Sequence, residues 1–389
     1  MTDVTVRPQA DTERAAGWEL AGIAFGFPLP DPLPEPTGAE HRYGAFDGAG
    51  RMLATATDLE HGYFYGGRRV AGAGIAGVAV APDVRGSGLL RPLLSELLRG
   101  ARARGAVISA LFPSTSAPYR KLGWERVGTV SWTALPTFAL AALRPPAGIT
   151  LRPATAADVP AVIDAYRATA SAGTGLLDRS GPLFPNDPDK VLAAFDGITL
   201  AIGADGTVEG CASWKRRDAR LAVYDLIGRS AGATQALLAM LGTWRSVVPT
   251  ISLRLPAEDP VLLMAGVETA TEHHREPWML RLVDAAGAVA ARGWPPHLTG
   301  TVDLQLTDDV CPWNAGPVRF EMAGGEARLV AGGSGAVGMD SRGLAAWYAG
   351  AASPAVLRRA GLLTGGDAGV DALLAAATAG PRPALLDAF

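Results

Sequence analysis

The stretch Val78-Ala79-Val80-Ala81-Pro82-Asp83-Val84-Arg85-Gly86-Ser87-Gly88 carries the residue types and spacing that best suit the capture of an anion. An alternating apolar run stops at a proline and a turn with glycines follows. Leu89, Leu90, Leu93, Leu94, Leu97 and Leu98 then recur at helical spacing. Strand, loop and helix are predicted in that order. Gly86 and Gly88 permit a tight backbone that lets the free N–H groups of the helix start point at a ligand, and Arg85 adds a full positive charge beside them. A phosphate or pyrophosphate suits such a nest. The same residues also suit an ordinary strand-to-helix connection built on a glycine turn.

The elements that must hold this turn are legible around it. Ala106-Val107-Ile108-Ser109-Ala110-Leu111-Phe112, bounded by Gly105 and Pro113, is a second apolar run of strand length, expected parallel to the first. A strand, helix, strand unit puts the glycine turn at the carboxyl end of its first strand, where open α/β sheets hold ligands. Upstream, Val4-Thr5-Val6-Arg7-Pro8 predicts a strand. A helix capped by Asp11 or Thr12 follows it to about Phe25, and the prolines of residues 27–36 enforce a loop. Residues 42–47 and 51–57 read as a hairpin about Asp47-Gly48-Ala49-Gly50. Gly72-Ala73-Gly74-Ile75-Ala76-Gly77 matches the dinucleotide fingerprint letter for letter, but a strand follows it where that motif needs a helix, so the match is set aside.

Composition excludes several classes. With 389 residues the chain has length for two or three domains, and 48% hydrophobic and 19% charged residues at net charge −3 leave no basic face for nucleic acid. No apolar run suffices to span a membrane and the opening residues lack the features of a signal peptide, so the expected location is the cytoplasm. Cys211 and Cys311 have no Cys or His companions at metal spacing; buried thiols are expected, and no metal. His273-His274 is expected as a solvated pair in a loop.

The chain also repeats itself. After a linker at Leu143-Arg144-Pro145-Pro146-Ala147-Gly148, Ile149-Thr150-Leu151-Arg152-Pro153 and a capped helix echo the opening strand and helix. Residues 221–229 and a helix from Thr234 to Leu241 echo the Val78 unit without its Arg-Gly-x-Gly signature. From about Pro277 the pattern changes, to strands at 300–306, 317–322 and 327–331 and helices at 341–349 and 354–360.

In this setting Arg85-Gly86-Ser87-Gly88 resembles the acyl-CoA-binding motif of the Gcn5-related N-acetyltransferases, R/Q-x-x-G-x-G/A, in the shortened form of the enhanced intracellular survival (Eis) branch. Tyr119-Arg120-Lys121-Leu122-Gly123-Trp124 resembles that family's motif B, and Phe389 is similar to its aromatic last residue. The resemblance implies an α/β fold class. Its parts would be a catalytic acetyltransferase domain over residues 1–143, a degenerate second copy over 149–276 and a sterol-carrier-protein-like domain over 277–389.

The resemblance also implies acetyl-CoA as co-substrate. Val78, Ala79, Val80, Arg85, Gly86, Ser87, Gly88, Leu89, Leu90, Arg91, Ser114 and Thr115 would hold it, with the backbone of Val78 and Val80 paired to the pantetheine arm. Tyr119 would donate a proton to the departing thiolate. The Phe389 α-carboxylate would accept the proton of the amine, with Glu60 or His61 acting through water as the second choice. Phe25, Phe27 and Asp31 would border the acceptor pocket. The implied acceptors are aminoglycosides or similar polyamines, in a homo-hexamer with a role in antibiotic resistance and with Asp31, Asp58 and Asp387 as acids for cationic specificity. A protein-lysine acetyltransferase, or a non-catalytic apolar-ligand carrier or scaffold, are the alternative readings.

Overall fold

The computed structural model describes residues 4–184, 186–256, 258–265 and 270–389, so Met1 to Asp3 of the opening segment lie outside the described residues. In chain order the first elements are β1 (Thr5–Pro8), α1 (Arg14–Phe25), β2 (Glu40–Phe46), β3 (Met52–Tyr65), β4 (Arg68–Val80), α2 (Leu90–Ala103), β5 (Ile108–Leu111), α3 (Ser116–Arg120) and β6 (Glu125–Pro136). Next come β7 (Thr150–Pro153), α4 (Val159–Ala172), β8 (Leu177–Asp178), α5 (Pro188–Ala193), β9 (Gly197–Ile202), β10 (Val208–Arg217), β11 (Arg220–Gly228), α6 (Ala231–Gly242), β12 (Thr250–Arg254), α7 (Pro260–Met264) and β13 (Thr271–Leu282). The rest is α8 (Ala285–Ala291), β14 (Gly300–Thr307), β15 (Gly316–Ala323), β16 (Glu326–Ala331), β17 (Val337–Asp340), α9 (Ser341–Tyr348), α10 (Pro354–Arg359), β18 (Leu363–Gly365) and α11 (Ala368–Ala377). These form two units, one of residues 1–127, 278–380 and 389, the other of residues 128–277 and 381–388.

In the first unit the strands run in the order β1-β2-β3-β4-β5-β13. The β4–β5 pair is parallel and its neighbours antiparallel. The leucines of α2 recur at helical spacing because one face must be buried, and Leu93, Leu94, Leu97 and Leu98 pack with Ala73, Ile75, Leu111 and Trp124. On the opposite face Leu20 of α1 meets Phe46, Met52, Ala79 and Ala81. The C-terminal segment of this unit adds a five-stranded sheet, β16-β15-β14-β17-β18. Arg281, fully buried, ties the parts together: its Nη2 donates to both carboxylate oxygens of Asp308 at 2.7 Å and its Nη1 to the Leu122 carbonyl.

The second unit repeats the arrangement, with strands in the order β6-β12-β11-β10-β9-β7 and β11 parallel to β12. The helix α6 packs Leu237, Leu238 and Leu241 on Ala212, Leu221 and Val223, and the Ser230 hydroxyl caps it by accepting from the Ala233 N–H at 3.1 Å. The echo seen in the sequence is therefore an echo of architecture.

Three expectations need correction. Neither Asp11 nor Thr12 caps α1; a turn at Asp11–Glu13 precedes it, and the Glu13 carboxylate accepts from the Ala10 N–H at 2.8 Å and from Arg7. The central strand β4 begins at Arg68, so the glycine run Gly72 to Gly77 lies inside a strand. His273 and His274 stand on β13, exposed, and His273 Nε2 lies 3.1 Å from the Ser252 hydroxyl.

Candidate active site

Pairing between β4 and β5 covers Gly72 to Ile75 against Ile108 to Leu111, whereas β4 runs on to Val80 held by β3 on its other edge. The two parallel strands part beyond Ile75. At the parting point the register against β3 shifts between Thr55 and Thr57, so that Gly77 and Val78 together oppose Ala56. Gly77 takes a φ of 59°, which a bulge of this kind requires of a glycine. Val78, Ala79 and Val80 thus present a strand edge beyond the reach of β5, where an extended amide-bearing chain could add as a strand.

Beyond Val80 the chain turns through Pro82 to Val84 and enters α2. Gly86 and Gly88 adopt φ of 83° and 87°, the left-handed region closed to most side chains, and a Cβ at either would meet nothing within 4 Å. Their role is conformational. Leu89, at the helix start, offers no side-chain cap, so the first N–H groups remain directed at whatever occupies the turn. Arg85 Nε donates to the Val80 carbonyl at 3.3 Å, which holds the guanidinium at the strand end, and Ser87 Oγ donates to the Val84 carbonyl at 2.6 Å. Leu90 begins the helix, and Arg91 turns its guanidinium away to donate to the Asp309 carbonyl at 3.0 Å. The strand edge, glycine nest and Arg85 fit an amide-bearing arm ending in a pyrophosphate.

Ser114 and Thr115 are exposed in the loop between β5 and α3, with Thr115 at the N-terminal boundary of the helix. Tyr119 follows on α3, edge-on to Trp124 with ring centroids 6.3 Å apart at 81°. Burial pushes its phenol up to about 12, so it holds its proton throughout the neutral range. Among the described residues no hydrogen bond engages its hydroxyl.

The ring of Phe389 is seated where β4 and β5 part. It lies 4.8 Å from the His61 ring and 5.3 Å, edge-on, from that of Phe112, the residue after β5. Gly74 forms the floor: a Cβ there would stand 2.6 Å from His61 Cδ2 and 2.9 Å from Phe389 Cε2. Sequence reasoning missed Gly74 and Phe112 as parts of a site. Their signal was the alternate glycines of β4, which on a strand leave one face flat enough to receive a ring.

The remaining candidates separate. Phe25 and Phe27 are exposed, with their rings parallel at 6.5 Å, and Phe27 also stands edge-on to Trp18 at 6.0 Å. Asp31 is exposed in the proline-rich loop. Asp58 is buried and pairs with Arg104; burial lifts its carboxyl to about 6 against the pull of that guanidinium. Asp387 accepts from Arg179. Of the acids expected to confer cationic specificity, two are therefore engaged by arginines and Asp31 alone is exposed. Glu60 lies 2.6 Å from His41 Nε2 and 3.8 Å from Arg104, so it shares the charged side of β3, whereas its neighbour His61 faces Phe389.

Two family models of the acetyltransferase (GNAT) domain match residues 5–127 and 175–282, and a sterol carrier protein domain matches residues 285–386. Among solved structures the chain is similar to a GCN5-related N-acetyltransferase from Kribbella flavida, at 30% identity and TM-score 0.86 over 100% of this chain and 99% of that one. The fold is shared with a GCN5-related N-acetyltransferase from Anabaena variabilis, at 23% identity and TM-score 0.88, both chains covered in full. It is also shared with Eis1 from Mycobacterium abscessus, at 24% identity and TM-score 0.79, again over the full length of both. No curated protein matches.

Proposed function

The chain belongs to the family of GCN5-related N-acetyltransferases, and from that premise we propose that it moves the acetyl group of acetyl-CoA to a primary amine of an aminoglycoside or similar polyamine, directly, in a ternary complex. Its build is a tandem of acetyltransferase folds followed by a sterol-carrier-protein segment. In that last segment Trp294, Phe320 and Trp347 pack ring to ring at 5.2 to 5.7 Å, which favours a filled interior over a carrier cavity.

Acetyl-CoA supplies an acetyl thioester. The chain holds it through the β4 edge at Val78 to Val80, the N–H groups of the glycine nest and Arg85. The Phe389 carboxylate takes a proton from the amine, whose nitrogen attacks the thioester carbonyl; the C–N bond forms, the C–S bond breaks, and Tyr119 gives its proton to the sulfur. No protein nucleophile takes part. Most of the acceleration comes from holding amine and thioester in contact and from backbone donors that polarise the carbonyl. The observation that carries this reading is the seat of Phe389 against Gly74, His61 and Phe112, at the opening between β4 and β5.

The test is thiol release from acetyl-CoA with aminoglycosides, linear polyamines and lysine peptides, with both substrates varied. Intersecting double-reciprocal lines and the highest kcat/KM on an aminoglycoside or polyamine are expected. Parallel lines would replace direct transfer by an acyl-enzyme, and preference for lysine peptides would replace the acceptor. The homo-hexamer belongs to the same proposal and is checked by the mass of the assembly in solution.

A further inference from the structure

The second unit lacks the acyl-CoA signature, yet it holds an ionic cluster built around the chain's own final segment. Residues 381–388 belong to this unit. Ala384 donates its N–H to the Thr174 carbonyl at 2.9 Å and bridges to Thr129, while Leu385 and Leu386 are buried. Asp387 then meets Arg179, whose Nε donates to both carboxylate oxygens at 3.1 and 3.0 Å.

The opposite edge of the same guanidinium is spent on a second carboxylate. Arg179 Nη1 and Nη2 donate to Asp225 at 2.9 and 2.8 Å, and the Ser213 hydroxyl donates to Asp225 at 3.0 Å. The face of the guanidinium lies 3.8 Å from the centre of the Tyr166 ring, and the Tyr166 hydroxyl, which donates to the Leu177 carbonyl, stands 3.4 Å from Asp387. Arg254 approaches Asp225 at 3.7 Å. A planar donor fixed on one edge by a buried carboxylate, on its face by a ring and on its other edge by the tail has little freedom left. Lysine could not reproduce it.

We infer that the second unit serves as the receptor for the chain's own C-terminal segment, and that Arg179 is a positioning residue, locking Asp387 so that Phe389 is presented for proton transfer. The final step rests on the reading of the Phe389 carboxylate given above. Asp387 and Phe389 are joined by two peptide units, which span at most about 7 Å, so fixing the first confines the second. The degenerate copy has thus exchanged a grip on the co-substrate for a grip on the tail.

The test uses the full chain and reads the tail separately from the chemistry. Because Arg179→Gln leaves Asp225 without its buried partner and risks the fold, Asp387→Asn, on the tail alone, carries the decision. Carboxypeptidase release of Phe389 is expected to quicken at least ten-fold in Asp387→Asn, and kcat to fall at least ten-fold with the acetyl-CoA KM within two-fold of native. A chain extended by one glycine after Phe389 is the comparator, and Asp387→Asn placed in it should cost nothing further. Unchanged tail release would overturn the receptor role. Unchanged kcat in Asp387→Asn, with the extended chain inactive, would overturn the positioning role. Full activity of the extended chain would sink the carboxylate reading and the positioning role with it, while quicker tail release would still uphold the receptor.

Discussion

Among single residues, the proton-donor role proposed for Tyr119 is the most direct to test. A phenol is protonated at neutral pH and burial raises this one further, to about 12, so Tyr119→Phe removes a donor and leaves the ring packed on Trp124. Loss of a general acid should lower kcat by about 10²–10⁴-fold with little change in the acetyl-CoA KM, read by thiol release. Asp58 provides a test on stability. Burial raises its carboxyl from 3.8 to about 6, so its contribution is full below the lower value and is lost as pH rises through the higher one. Urea unfolding at pH 4 and pH 7 should therefore show Asp58→Asn gaining about 2–3 kcal/mol on the native chain as pH rises across that window. Arg85, Tyr119 and Phe389 stand out as candidates in the sequence because the motifs that single them out are local. The acids were not: whether Asp58 or Asp387 is spent on an arginine depends on Arg104 and Arg179, distant in sequence and near only once folded.

Among the elements, β4 governs the site, and glycines govern β4. The run from Gly72 to Gly77 carries the letters of a dinucleotide motif but serves a strand that must bulge at Gly77 and lie flat at Gly74. Sequence pattern marks the strand at Val78 and is silent on the part from Arg68 to Gly77, because glycine and alanine signal neither period strongly. Gly74→Ala should force the Phe389 ring from its seat, lowering kcat at least ten-fold while the acetyl-CoA KM holds. Gly86→Ala should do the reverse. At a φ of 83° a Cβ costs about 1–2 kcal/mol, so the nest should weaken and the acetyl-CoA KM rise about 5- to 30-fold with kcat less affected.

Across the molecule, the order of segments along the chain is not the order of packing. Residues 278–380 share a unit with residues 1–127, through the pairing of β13 with β5 and the buried Arg281–Asp308 pair. The repeat and the change of pattern near Pro277 were legible in the sequence. That joining was not, since no local signal tells a strand which distant edge it will cover. Asp308→Ala strands a buried guanidinium and should cost about 3–5 kcal/mol, measured by denaturant unfolding. Everything proposed for the chemistry turns on a tail, held in this fold, that supplies the base for acetyl transfer. The decisive comparison is kcat for acetyl-CoA-dependent thiol release by the native chain beside one extended by a single glycine after Phe389. We predict robust release by the native chain and a fall of at least 10²-fold on extension, with the acetyl-CoA KM unchanged; equal kcat in the two would refute the terminal carboxylate as base and pass that role to His61.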